Sequence, residues 1–280
     1  VSRGNAVADL LGNAVVPVEC AAPDDPIRYW VVADGSFGSV PNSGWGQARL
    51  EQARRATHLM RARAERNDAI RLCLENTRSV IFFESDSKNS FYHPDLRRTV
   101  FINWRAEQSI HHFIEEFIHQ SVHSVIDEIS KDGALFVTSA TGEGFDPDHT
   151  HMINADSETF VRFHSMATLA LICEGLFDLP EDADAAGRAV VLGRASFAFQ
   201  KLSYDLQYFI GNMEALAPSG AAFLKAALAL YQHGLAIHRE EFQRHDMTGQ
   251  PYVFDEAAFL LRNGETRRSA VGVPGVGQLS

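Results

Sequence analysis

The chain has few features that would place it outside a reducing compartment. Its 280 residues include three cysteines, Cys20, Cys73 and Cys173, an odd number with no C-x-x-C spacing. That excludes a disulfide framework and points to reduced thiols in a cytoplasmic protein. There is no basic excess: the formal charge is −11, whereas a general nucleic-acid binder carries a basic footprint. Arginines gather only locally, from Arg54-Arg55 to Arg71 and at Arg97-Arg98. No uninterrupted apolar run approaches the ~20 residues of a membrane span, and no basic start precedes an apolar block as in a secretory signal. No internal repeat is visible. What is present, 45% hydrophobic and 22% charged residues, is a globular composition long enough to bury a substantial core.

Periodicity divides the chain coarsely. Residues 1–46 mix short apolar pieces with Gly, Pro and Asn, and Ile27 to Ala33 reads as a strand. Gln47 to Glu75 reads as one surface helix with a basic face. Two β-like segments follow, Ser79–Glu84 and Thr99–Asn103, joined by a polar, turn-rich stretch over 85–98. Ala106 to Lys131 is helical in pattern and stops at Asp132-Gly133. Residues 137–156 form an irregular stretch of about 20 residues, a length at which loops tend to be functional. Residues 157–244 are helical with breaks near Leu179-Pro180 and Ala217–Gly220, and Asn263–Ser280 is a Gly-, Val- and Pro-rich tail expected to be extended. The expected fold is mainly α, with a small sheet preceding a metal-binding helix. A single catalytic domain spans 1–262, its first 46 residues irregular and strand-containing, and the tail covers 263–280.

The chemistry concentrates in EEFIHQSVH, residues 115–123. His119 and His123 stand four apart, as in the H-E-x-x-H zinc helix, but Gln120 occupies the glutamate position. At 100° per residue, His112, Glu116, His119 and His123 fall within roughly 60° of one another. Ile114, Ile118, Val122, Val125 and Ile126 border this polar stripe on one side, and Phe113 and Phe117 on the other. The stripe therefore faces an interior, where an imidazole pair needs a partner, and an i, i+4 pair can share one metal ion. An H-x-x-x-H match alone is weak among twelve histidines; the bland alternative is hydrogen-bonded histidines on an ordinary helix. Gln120 decides the chemistry: an amide cannot take a proton from metal-bound water as a zinc peptidase requires, and can only orient a ligand by hydrogen bonds. Metzincin spacing is absent. His164, about forty residues on in FVRFHSMATLAL, suits a ligand from an antiparallel partner helix, or a core histidine. His149 and His151 fall in the loop, and Glu158 near a helix start.

The order of TVFIN, the helix AEQSIHHFIEEFIHQSVHSVID, a Gly/Pro/Asp loop and FVRFHSMATLAL resembles the H-E-x-x-H proteins associated with ribosomally made, post-translationally modified peptides. Those are similar to 2-oxoglutarate-dependent peptide β-hydroxylases. The resemblance covers about residues 79–178. It implies Fe(II) on His119 and His123 with His164 as third ligand, 2-oxoglutarate and O₂ as co-substrates, and a precursor peptide hydroxylated at Cβ. Gln120 for Glu is the departure. Gln120 and Glu116 are then the candidate catalytic residues. The far carboxylate of 2-oxoglutarate calls for an arginine fork, with Arg194 and Arg162 as candidates. The peptide would add to an edge strand at 99–103. Nucleic acid and membrane are not expected partners; a homodimer is compatible with the sequence.

Other readings separate on single features. A catalytically silent zinc peptidase relic would bind metal and peptide without turnover. A di-iron carboxylate protein would use Glu116-x-x-His119 but needs a second E-x-x-H, and none occurs: Glu241 is followed by Arg244 at +3, with His245 one place late. A helical protein without metal would leave the stripe as hydrogen-bonded core.

Overall fold

Asn67 decides where the first helical stretch breaks. In the computed structural model its Oδ1 accepts from Ile70 N at 3.0 Å, an N-cap bond that ends one helix and starts another. The expected single helix over 47–75 is therefore two, α1 (Gln47–Ala64) and α2 (Asp68–Asn76). The Asn67 amide also donates to Glu174 O at 2.8 Å, tying the break to a helix a hundred residues away. The structure describes residues 16–17, 47–83, 89–92, 98–105, 108–132, 135–136, 158–177 and 185–271. The strand read at 27–33, the glycine stop at 133, and His149 and His151 in the 137–156 stretch lie outside them.

These residues form a mainly helical protein with a small mixed sheet. Strands β1 (Val16–Pro17), β2 (Ser79–Phe83), β3 (Phe91–Tyr92) and β4 (Thr99–Asn103) lie in the order β1-β2-β4-β3. β2 and β4 run parallel in register from Ser79↔Thr99 to Phe83↔Asn103. β3 folds back antiparallel on β4, pairing Phe91↔Phe101 and Tyr92↔Val100. The expectation that 99–103 forms an edge is thus corrected: β4 is paired on both sides. Two aromatic residues inside the polar 85–98 run make the extra strand, and Phe91 stacks on Phe101 with centroids 4.4 Å apart.

The remaining helices are α3 (Ile110–Asp132), α4 (Glu158–Phe177), α5 (Ala185–Gly211), α6 (Pro218–Gln243) and α7 (Glu256–Val271), with a 3₁₀ turn at Met213–Ala215. α4 sits at the centre, packed on α2, α3, α5 and α6. By length and mean hydropathy (1.3) it could cross a membrane, but 67% of that window is buried inside the protein. Its apolar character is that of a core helix, and no second such helix occurs among the described residues. α6 opens on Pro218, at home in a first turn. Gly220 lets the chain pass close: a Cβ there would run into the Leu135 carbonyl oxygen, which accepts from Ala217 N at 3.0 Å.

The described part of the tail, residues 263–271, differs from its expected extended form; residues 272–280 lie outside the described residues. α7 continues to Val271, and Asn263 Nδ2 ties it to the preceding loop by donating to Asp246 O as well as to Phe259 O. Glu265, Arg267, Arg268 and Ala270 are residue types that favour a helix. Cys73 and Cys173 are buried free thiols; burial pushes both far above the ordinary thiol range, with Glu174 and Glu115 respectively adding to the shift. Neither is a reactive thiolate.

Candidate functional site

The polar stripe of α3 faces one cavity of about 660 Å³, which His112, Glu116, His119, Gln120 and His123 all line. The helix holds this orientation because its other faces are core: Phe113, Ile114, Phe117, Ile118 and Val122 are no more than 1% exposed. Trp104, just past β4, stacks on Phe113 at 5.1 Å and seats α3 against the sheet. The opposite wall comes from α4. His123 meets His164, and the Glu115 carboxylate acts on Cys173, so residue numbers rise along one helix as they fall along the other. The two helices are antiparallel.

His164 Nε2 lies 3.1 Å from His123 Nδ1, with ring centroids 4.3 Å apart. Two imidazole nitrogens, each about 2.1 Å from one ion at tetrahedral to octahedral angles, stand roughly 3.0–3.4 Å apart. The observed separation fits two donors to a shared ion as well as it fits a hydrogen bond between opposite tautomers. Tyr92 of β3 stacks on the His123 ring at 5.2 Å, interplanar angle 2°, fixing its plane. His119, one turn back, has its ring centroid 6.4 Å from that of His123. Among the described residues no three His, Cys, Asp or Glu side chains already converge on one point. The donor set nevertheless has the chemistry for a divalent iron or zinc ion: a close imidazole pair, with a third imidazole and a carboxylate on the same wall.

Two further stripe members are electrostatically defined. Burial lowers the His112 pKa; Glu116 and Glu115 offset this only in part, and Arg194 adds to it. A hydrogen bond to the Asn103 main chain holds it. Burial would raise the Glu116 carboxyl, but His119 and His112, a hydrogen bond with Ser90 and the charge of Arg194 outweigh it. Glu116 is therefore held below the ordinary carboxylate range, an anion and not a proton donor.

The two arginines do not reach the cavity wall. Arg194, on α5, is 2% exposed, and its fork is filled by the chain's own carboxylates. Nη1 bonds Glu115 Oε2 at 2.5 Å and Nη2 bonds Glu256 Oε2 at 2.9 Å, with the guanidinium 4.9 Å over the Phe254 ring. Ser109 Oγ donates to the same Glu256 oxygen at 2.8 Å. Arg162 pairs with Asp205 at 3.3 Å and Glu158 at 3.6 Å and stands over Tyr208. As ligand anchors, both expectations give way to these internal pairs.

Lys201 was not legible as a site residue, yet it lines the cavity. Its ammonium donates to Tyr252 O at 3.2 Å and sits 3.9 Å from the Tyr252 ring centroid and 5.3 Å from that of Phe197. Burial lowers its pKa, with Asp205 and Glu115 acting in the opposite direction, and no carboxylate pairs with it among the described residues. The only hint in the sequence is its place two turns beyond Arg194, on the same helical face. Thr168, buried in the apolar run MATLALIC, also lines the cavity and had no signal at all. No protein-family model matches the chain, and no curated protein matches it.

Proposed function

We propose that the chain is an Fe(II)- and 2-oxoglutarate-dependent oxygenase that hydroxylates the β-carbon of a residue in a ribosomally made precursor peptide. The observation that carries this reading is the 3.1 Å approach of His123 and His164 across two helices, beside His119 in a cavity of about 660 Å³. His119, His123 and His164 would hold the ion. When bound, iron and 2-oxoglutarate supply an oxidant from O₂, chemistry that needs no proteinaceous general base. Gln120 at the peptidase glutamate position supports that choice over hydrolysis. Leu169, Ile172, Phe197 and Ala198 make part of the wall apolar and limit water around the reacting carbon. Val161, Tyr252 and Val253 line the cavity while being 51%, 83% and 48% exposed, an apolar mouth suited to a peptide. The setting is cytoplasmic, without nucleic acid or membrane.

The test is succinate formation by anaerobically purified, iron-loaded protein given O₂ and 2-oxoglutarate. Succinate dependent on both, and lost in His164→Ala, is the expected result. Metal retained without any succinate moves the assignment to a silent metal- and peptide-binding protein, the reading that Gln120 also favours. Absence of metal overturns both.

Lys201, whose ammonium lines the cavity without a carboxylate partner among the described residues, would take the far carboxylate of 2-oxoglutarate. A charge-assisted hydrogen bond contributes about 1.5–3 kcal/mol, so Lys201→Met should weaken 2-oxoglutarate roughly 10- to 150-fold. It should leave 2-oxobutanoate, which lacks that carboxylate, nearly unchanged. Calorimetric titration of both ligands reads the difference; equal losses would remove Lys201 from the role.

A further inference from the structure

Gln120 and Thr168 leave polar groups without partners on facing walls of the same cavity. Gln120 is 2% and Thr168 5% exposed, and both line the cavity. Thr168 Oγ1 is fully buried with no hydrogen-bond partner, not even the carbonyl one turn back that a helical threonine commonly uses. The Gln120 amide makes no hydrogen bond to any described residue. Buried polar groups are nearly always bonded, so the Thr168 hydroxyl needs an explanation; the Gln120 amide is not sealed off and is left open to the cavity.

Helix register brings the two together. From the His123–His164 meeting point, one turn back along α3 reaches Gln120 and one turn onward along α4 reaches Thr168. In antiparallel helices these are the same level, directly beside the histidine pair. A primary amide presents N–H and C=O in one plane, and the hydroxyl adds a group that donates or accepts. Leu169, Ile172 and Ala198 line the surrounding wall, and Glu115 and Glu116 carry carboxylates along the same stretch of α3. With no metal bound, the Glu116 carboxylate one turn from Gln120 disfavours an anion at this spot, whereas a neutral group with both a donor and an acceptor is matched.

We propose that Gln120 and Thr168 form a subsite for a neutral amide, the main-chain peptide group of the bound substrate. This rests on the cavity taking a peptide, as proposed above, but not on iron or on oxidation. Gln120 is then a substrate-positioning residue, not a damaged peptidase glutamate. The amide would register one peptide bond against the histidine pair and so select which residue's side chain lies nearest to it.

The experiment uses the full, metal-free chain with ¹⁵N-labelled glutamine, the Gln120 side-chain NH₂ signal being identified by its loss in Gln120→Met. N-methylacetamide, the smallest peptide-group analogue, should shift that signal saturably. Methyl acetate, which lacks the N–H, and acetate, which is charged, should not. Thr168→Val should weaken the N-methylacetamide response at least fivefold. Thr168→Val should also raise the thermal midpoint, because it removes a fully buried unsatisfied hydroxyl. An unresponsive Gln120 signal, an equal shift with acetate or methyl acetate, no effect of Thr168→Val on the response, or a fall in midpoint for Thr168→Val would each overturn the subsite. Iron binding and succinate formation are read separately, so failure here leaves the oxygenase reading standing, and the reverse holds too.

Discussion

Replacing His123 by alanine should take bound divalent metal from near one ion per chain to near none without unfolding the protein. His123 belongs to the only close imidazole pair of the cavity among the described residues, 3.1 Å from His164, and Tyr92 fixes its plane. Removing partners that merely orient a metal ligand costs about 10- to 100-fold in affinity, so losing a ligand itself should cost at least about 100-fold. The fold should persist because His123 is half-buried and its loss leaves the apolar faces of α3 intact. His112→Ala is the matched control. It lies on the same stripe, but its ring is engaged by the Asn103 main chain, so metal should be retained. Elemental analysis of anaerobically purified protein, with circular dichroism to confirm helicity, reads both variants. Full occupancy in His123→Ala would end the metal assignment.

That the stripe could be read at all follows from helix geometry, which fixes the relation of residues 112, 116, 119 and 123 without reference to anything else in the chain. The interior direction was legible too, because Phe113, Phe117, Ile118 and Val122 leave the stripe no other surface. What the sequence concealed is relational. TVFIN looks the same as an edge or an interior strand; its status was settled by Phe91-Tyr92, two residues in a polar run too short to register as a strand. The small apolar neighbours of Arg194 single it out as a candidate anchor, not as the centre of a buried cluster. Its partners, Glu115 and Glu256, are 79 and 62 residues distant, and nothing local announces them. Thr168 reads as core filler and Lys201 as a surface residue, since only the packing of α3, α4 and α5 turns both toward one cavity. The break at Asn67 was within reach, because Asn before Asp-Ala-Ile is a capping signal, but the continuous charge pattern of 47–75 obscured it.

The Arg194 cluster should be where the protein is most easily damaged. With Arg194 gone, the carboxylates of Glu115 and Glu256, 14% and 25% exposed, would face each other without a counter-charge. Breaking a buried pair from one side typically costs 3–5 kcal/mol, and partial exposure of the acids puts Arg194→Met near the lower end, about 3 kcal/mol. Removing the acids as well, in Arg194→Met with Glu115→Leu and Glu256→Leu, should recover most of that loss, since well-packed apolar residues can replace such a cluster. Urea unfolding midpoints at unchanged slope measure both; a loss below about 1 kcal/mol for the single variant would show that the cluster does not hold the fold. The same variant should also weaken 2-oxoglutarate without touching it. Arg194 seats Phe254 beneath its guanidinium and Glu256 at the start of α7, and two residues earlier the Tyr252 carbonyl accepts from Lys201. Loosening that segment frees the ammonium that the carboxylate is proposed to meet, so Arg194→Met should lower 2-oxoglutarate affinity together with stability. Lys201→Met should lower the affinity alone.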